Sequence, residues 1–293
     1  MENAERILQN HIAGYRVLDK LGNGATSRVY LVKKEENGRV YALKHSLFPE
    51  RLRTEAEILR ELKHPCFPVW IEDGRLGDGA YLVMEYIQGV TLSQLMERYP
   101  GGMPEKMAVG IARDVVLGLA YLHDCQPPYI YRDLKADNVI VTAQGRARLV
   151  DVGAAVRVDG SQRDRCRAGT YGYGAPEQFW EGVRVTPSCD IYAVGKLLSF
   201  MLTGQNPCKP PYDTAEYCSR HSGIRRGLKR LLNRCLQADP QLRYPDASFL
   251  LAELENLEAK KIGFRKKIRE ITGNKCPYRY IKCIWRSDYE RIF

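Results

Sequence analysis

The chain has 293 residues, 44% of them hydrophobic, enough for one large or two small domains with a sizeable core. No run approaches the roughly 18 uninterrupted apolar residues of a membrane span, and the nine cysteines, odd in number and scattered without a CxxC pair, argue against a disulfide framework and read as free, mostly buried thiols. The formal charge of +10 is concentrated: residues 260–293 hold eleven Lys or Arg against three acids and the remainder is near neutral, so arguments about acidic partners concern that tail alone.

The opening "MENAERILQN" is a charged amphipathic extension over 1–10 without the apolar block of a signal peptide, which makes the cytoplasm the expected compartment. From about 15 to 85 the chain reads as short strands, "YRVLDKL", "SRVYLVKK", "VYALKHS", "FPVWIEDGRL" and "AYLVMEYI", separated by turns such as "LGNG" and "EENGR". One strong helix interrupts them, "ERLRTEAEILRELKH", with Leu52, Ala56, Leu59 and Leu62 near a 3–4 spacing. Beyond "QGVT" the period changes, and "LSQLMERY", "EKMAVGIARDVVLGLAYLHD", "CDIYAVGKLLSFMLTG", "GLKRLLNRCLQ" and "ASFLLAELENLEAKK" all predict helices. A β-rich part followed by a helical part implies an α+β chain in two lobes, joined near 86–90. The five histidines show no metal-ligand spacing and read as core or loop residues.

Several short stretches carry chemistry. "LGNGATSRVY" places Gly22 and Gly24 between two predicted strands, with Ser27 where a third glycine would fall; alone this reads either as a hairpin turn or as backbone able to approach a phosphate. It does not fit a dinucleotide fold, since a strand rather than a helix follows. "VYALK" ends a strand on Lys44, and Glu55 on the next helix can pair with it, Glu57 being the rival. "YRDLKADN" and "LVDVG" lie eighteen residues apart at their aspartates, joined by a hairpin-like segment. Two loops from neighbouring strands can therefore gather Asp133, Lys135, Asn138 and Asp151. Hard oxygen ligands such as Asn138 and Asp151 suit Mg²⁺ bridging substrate phosphates.

With these stretches in order, and with "GYGAPEQ", "CDIYAVG" and the Arg243 of "DPQLRY" behind them, residues 11–256 resemble a eukaryotic-type (Hanks-type) serine/threonine protein kinase. "GTYGYGAPEQ" and "QGVTLSQL" look most like bacterial members. The resemblance implies a bilobal fold, with a small β-rich N-lobe over 11–86 bearing one main helix and a larger helical C-lobe over 90–256. It implies ATP and Mg²⁺, with Mn²⁺ an alternative, and proteins carrying Ser or Thr as substrates. Lys44, oriented by Glu55, would hold the α- and β-phosphates; Asn138 and Asp151 would hold the metal; Asp133 would take or orient the substrate hydroxyl, and Lys135 would steady the γ-phosphate. Leu21, Gly22, Asn23, Gly24, Ala25, Thr26 and Ser27 would cover the nucleotide, with Val29 and Ala42 above the adenine. Met84 would take the gatekeeper position, and the backbone of Glu85 to Ile87 would bond the base. Asp190 would brace the catalytic loop, Glu177 would pair with Arg243, and Thr170 would contact Asp133 and Lys135.

Three positions depart from the family pattern. Tyr131 stands where a histidine is usual, Val152 replaces the phenylalanine after the metal aspartate, and Ser27 replaces the third loop glycine; none removes a charge the chemistry needs. Arg132 normally awaits a phosphate on the activation segment, which offers Ser161 and Thr170 as sites of autophosphorylation, or stays ordered by its own arginines. Cys166 is a bystander thiol or a redox switch. The basic aromatic tail, 257–293, aligns Phe264, Ile268 and Ile271 among its lysines and arginines. Such a face packs on the kinase domain, docks on an anionic membrane or an acidic partner, or, least favoured, binds nucleic acid. Two other functions compete with the kinase reading: a pseudokinase scaffold, against which Lys44, Glu55, Asp133, Asn138 and Asp151 argue, and a small-molecule kinase, against which the APE segment and Thr170 argue.

Overall fold

The computed structural model describes residues 11–24, 26–158, 168–210, 218 and 221–257. Ala25, Ser161, Cys166, the extension 1–10 and the tail from 258 onward therefore lie outside the described residues.

Residues 11–85 fold around a six-stranded sheet. Strands β1 (His11–Ile12), β2 (Tyr15–Asn23), β3 (Ser27–Lys34), β4 (Val40–Ser46), β5 (Trp70–Leu76) and β6 (Gly79–Glu85) lie in the order β1-β2-β3-β4-β6-β5, every pair antiparallel. Alternation drives this. In β3, Tyr30 and Val32 point into a core with Ile12, Tyr15, Leu43 and Val83, while Leu31 between them lies half-buried on the other face. The β3–β4 turn closes where Lys34 N–H donates to the Arg39 carbonyl (2.9 Å) and the Asn37 side chain accepts from Arg39 N–H (2.9 Å).

Helix α1 (Pro49–Glu61) starts on a proline whose missing N–H costs nothing at a first turn, and it buries Leu52, Ala56, Ile58 and Leu59. It ends three residues before the sequence pattern predicts. Leu62 is already extended (φ −72, ψ 124). Pro65 explains the early stop, because its ring disfavours helical backbone at the residue before it.

By β7 (Gly89–Thr91) the chain has left the large sheet, since β7 pairs with β9 (Val139–Thr142), which pairs with β10 (Ala147–Leu149). Thr91 then caps α2 (Leu92–Met96) through a reciprocal bond with Gln94. Helix α3 (Glu105–Asp124) turns an apolar face inward, and β8 (Tyr129–Ile130) pairs with β11 (Val156–Arg157). Helix α4 (Ser188–Thr203) is buried almost all round, as expected of a helix through the middle of a helical lobe, and Gly204 ends it in a left-handed conformation (φ 72). Helix α5 (Arg226–Cys235) and a helix over 247–257 complete the described lobe. Four of the six described cysteines, Cys66, Cys189, Cys218 and Cys235, are buried and all six are free. Among the described residues no helix is long and apolar enough to cross a membrane.

Candidate active site

The sheet presents Lys44 at its centre. Its β-ladder partners are Val29 on one side and Leu82 on the other, while Leu31 lies opposite Ala42 and Ala42 opposite Met84. Ala42, Met84 and Ile87 are buried, Leu21 is exposed, and Gly22 pairs with Val29 at the base of a turn that Gly24 N–H closes onto the Ser27 carbonyl (2.8 Å). The Lys44 ammonium donates to both carboxylate oxygens of Glu55 (2.9 and 2.8 Å) and to Asp151 Oδ1 (2.9 Å). Glu55 is thus the partner on α1. Glu57, its rival in sequence, lies on the surface with Arg53 (3.1 Å).

Burial sets the charge state of this cluster. It disfavours the Lys44 cation, but the charges of Glu55 and Asp151 outweigh it and hold the ammonium above its ordinary value. Glu55, almost fully enclosed, is pushed up from 4.5 to about 7 by burial, against the pull of Lys44 and with the push of Asp151. At Asp151 burial also opposes the charge, yet Lys44, the Gly153 N–H and Lys135 together draw it below the usual range. Gly153 allows this crowding, because a Cβ there would meet Glu55 Oε2 at 2.8 Å and Asp151 Oδ1 at 3.0 Å.

A pH dependence follows. The folded chain keeps the Glu55 proton up to about 7 and the unfolded chain releases it near 4.5, so the burial penalty grows as pH rises across that window and is complete above it. Pairing with Lys44 needs the charged form, so function runs the other way. We expect kcat/KM for ATP, which reports the free enzyme, to fall as pH drops through about 7. A pH–rate profile checks this: the small residual activity of Glu55→Gln should be flat across the same interval.

The loop 131–138 is held from below by Asp190 on α4. Asp190 Oδ2 accepts from Tyr131 N–H and Oδ1 from Arg132 N–H, both at 2.8 Å. His123, read from sequence as a core or loop histidine, lies 3.0 Å from Asp190 Oδ2 through Nε2. Its Nδ1 accepts from Ala247 N–H (3.1 Å), which assigns the ring hydrogen to Nε2 and makes it a donor to Asp190. Two residues here occupy positive φ without being glycine, Arg132 (67°) and Asp151 (65°), a strained state that survives only where neighbours impose it. The Arg132 guanidinium donates through Nε to the Ala154 carbonyl (2.6 Å).

Above this floor the polar groups converge. Lys135 Nζ donates to Asp133 Oδ2 (2.9 Å) and to Thr170 Oγ1 (3.1 Å), while Thr170 Oγ1 donates to Asp133 Oδ1 (2.6 Å). Thr170 therefore sits inside the site with its hydroxyl engaged, which sets it apart from a free acceptor on the activation segment. Asn138 donates through Nδ2 to the Asp133 carbonyl (2.8 Å), leaving its amide oxygen to accept. Val150 N–H bonds the Asn138 carbonyl (2.9 Å), so Asn138 and Asp151 are brought side by side by the β9–β10 hairpin. With Asp151 Oδ1 taken by Lys44 and Gly153, Oδ2 is its remaining acceptor. Two hard oxygens beside a lysine fit a divalent cation carrying phosphates.

Tyr131 is fully enclosed, and its hydroxyl donates to the Val150 carbonyl, immediately before Asp151. Burial, then Asp151, Asp133, Asp190 and Glu55, hold this phenol well above its ordinary value. Val152 is buried (1% exposed). Further along, Glu177 and Arg243 form a doubly bonded pair (2.6 and 2.9 Å) in the interior.

A profile described as protein kinase domain matches residues 15–253. This chain belongs to the protein kinase family. The kinase is 31% identical over 278 residues to the serine/threonine-protein kinase pkn2 of Myxococcus xanthus, covering 84% of this chain and 33% of that one. It is 30% identical over 266 residues to the serine/threonine-protein kinase PknB of Mycobacterium leprae (82% and 42%), and 29% identical over 214 residues to sperm motility kinase 2A of Mus musculus (71% and 41%). It spans a third to a half of the length of these curated relatives. Members of the family use ATP with a divalent metal and act on proteins.

Sequence reasoning missed two further groups around this kinase site. Arg148 holds Glu85 at the lobe junction with two bonds (2.5 and 2.7 Å) and also bonds the Phe67 carbonyl (2.6 Å). Gln178, one residue after the APE motif, reaches the catalytic loop. Neither has a signal in a single sequence, since each acts across segments distant in the chain.

Proposed function

We propose that this chain is an active ATP-dependent serine/threonine protein kinase. The observation that carries the reading is the joined set Asp133, Lys135 and Thr170 beside the Lys44, Glu55 and Asp151 cluster. Phosphoryl transfer through a loose transition state asks a protein for positioning and charge neutralisation rather than covalent chemistry. Lys44, held by Glu55, binds and orients the α- and β-phosphates. Asp133 takes or orients the acceptor hydroxyl with its carboxylate, which Thr170 and Lys135 hold in place, and Lys135 meets the γ-phosphate. Asn138 and Asp151 would hold Mg²⁺, which supplies charge neutralisation for the phosphates when bound. Leu21 to Ser27, Val29, Ala42 and Met84 would enclose the nucleotide, with the backbone of Glu85 to Ile87 on its base. The lysine two residues after Asp133, with Thr170, supports serine or threonine as acceptor.

The test is transfer of radiolabelled γ-phosphate to a generic protein substrate. Asp133→Asn is expected to slow it by about 10²- to 10⁴-fold, the usual contribution of a positioned acid–base group. Equal transfer by mutant and wild type would sink the assignment of Asp133, and no transfer by wild type would favour a pseudokinase scaffold. Autophosphorylation belongs to the same reading: with the Thr170 hydroxyl engaged by Asp133, Ser161 is the acceptor to look for, by mass spectrometry after incubation with ATP and Mg²⁺. The charge of the tail over 260–293 supports attachment to an anionic membrane or an acidic partner; equal sedimentation with anionic liposomes after its removal would discount the membrane.

A further inference from the structure

The turn before Asp133 is strained, and the structure shows what holds it. Arg132 has a φ of 67°, and Asp133 N–H bonds back to the Tyr131 carbonyl (2.9 Å), a three-residue turn with a left-handed centre. Asp190 takes the N–H groups of Tyr131 and Arg132, as described. The Arg132 carbonyl accepts from Gln178 Nε2 at 2.8 Å.

Gln178 is itself buried, at 2% exposure. Its Nε2 also donates to the Ala168 carbonyl (2.8 Å), and its Oε1 accepts from Ala175 N–H (2.9 Å). Both amide hydrogens and the amide oxygen are thus committed, and each bond goes to a different piece of chain. Gly169 gives the segment room to pass: its φ is 135°, and a Cβ there would come within 3.0 Å of Gln178 Nε2. One bond ends one residue before Asp133 and the other two residues before Thr170, the pair that meets at 2.6 Å.

We propose that Gln178 is a positioning residue for phosphoryl transfer, whose amide sets Ala168 against the Arg132 carbonyl so that Thr170 reaches Asp133. This rests on the kinase reading above. The role needs two donors and one acceptor in a fixed plane, which only an amide of this length supplies. Glutamate keeps the acceptor but turns a carboxylate toward two carbonyls, and methionine keeps the volume but makes none of the bonds.

Wild type, Gln178→Glu and Gln178→Met, each as the full chain, are compared for γ-phosphate transfer from ATP to casein, for hydrolysis of ATP by water without casein, and for thermal midpoint. Both variants are expected to lose about 10- to 100-fold in kcat for transfer, the scale on which small misplacements act. The KM for ATP should stay within about twofold and hydrolysis should fall less than transfer, since the Lys44 cluster is not held by Gln178. Methionine serves as the deciding variant where glutamate prevents folding. Transfer by Gln178→Met within about threefold of wild type overturns the role, as does a parallel loss of ATP affinity, hydrolysis and midpoint, which means general loosening. Wild type that transfers no phosphate overturns the kinase reading and this role with it. Wild type that transfers, with an unaltered methionine variant, removes this role alone.

Discussion

Lys44→Met is expected to reduce kcat/KM for phosphoryl transfer by about 10²- to 10³-fold or more, the range for deleting one preorganised group that faces developing charge. The reasoning starts from the three carboxylate oxygens on its ammonium, two from Glu55 and one from Asp151. Without the cation, the phosphates lose a charged partner, and α1 loses the bond that fixes its distance from the metal loop. Stability should respond more mildly. Removing one partner of a buried ion pair costs about 3–5 kcal/mol when the other must stay charged, but Glu55 already sits at about 7 and escapes by taking up a proton. Without Lys44, whose charge draws that value down, Glu55 titrates higher still, so the variant should melt closer to wild type near about pH 6 than near about pH 8, where wild type keeps a charged, paired Glu55 and the variant does not. Steady-state kinetics and melting curves at both values check this, and transfer within threefold of wild type would remove Lys44 from the mechanism.

Glu177→Gln is expected to destabilise the fold strongly although it lies outside the catalytic cluster. Glu177 and Arg243 are both almost fully enclosed, and Arg243 further donates to the carbonyls of Gln237, Ala238 and Ser188 (2.7, 2.9 and 3.2 Å). An amide keeps one acceptor but leaves a buried guanidinium without its counter-charge, at about 3–5 kcal/mol. For a domain of this size that corresponds to a fall of about 6–20 °C in Tm. The loss should show in calorimetry before it shows in ATP affinity, because the Lys44 cluster is built from other segments. Arg243→Met should be worse, since it also orphans three carbonyls. A double variant that is no more damaged than either single one would show that the pair acts as a unit.

The parts of this site that are legible in the sequence are those whose chemistry is local. Asp133, Lys135 and Asn138 fall within six residues of one another on one short loop, so their spacing is itself a motif. Lys44 and the strand around it are legible because short β-rich runs lie between turn residues there. The identity of its partner is less so: Glu55 and Glu57 share one helix, where spacing to Ile58 and Leu59 only favours Glu55, and the contact with Lys44 decides between them. Gln178, His123 and Arg148 carry no such mark. Their partners lie 46, 67 and 63 residues away, at Arg132, Asp190 and Glu85, and a single chain gives no measure of that proximity. Thr170 is legible by resemblance alone, and the engagement of its hydroxyl, which bears on its candidacy as a phosphorylation site, is a matter of tertiary contact.

Position 131 has a further consequence. An imidazole set among Asp133, Asp151, Asp190 and Glu55 would be pressed to carry a proton, and its charge would switch near neutral pH. The same neighbours also favour the protonated form of the Tyr131 phenol, but that form is neutral, so the side chain carries no charge at physiological pH while its hydroxyl keeps hold of the Val150 carbonyl. The floor of the site is therefore electrically silent at this point. Within this cluster acid sensitivity then falls to Glu55 on α1, so that a drop in pH would act on the placement of a helix rather than on the aspartate that handles the acceptor.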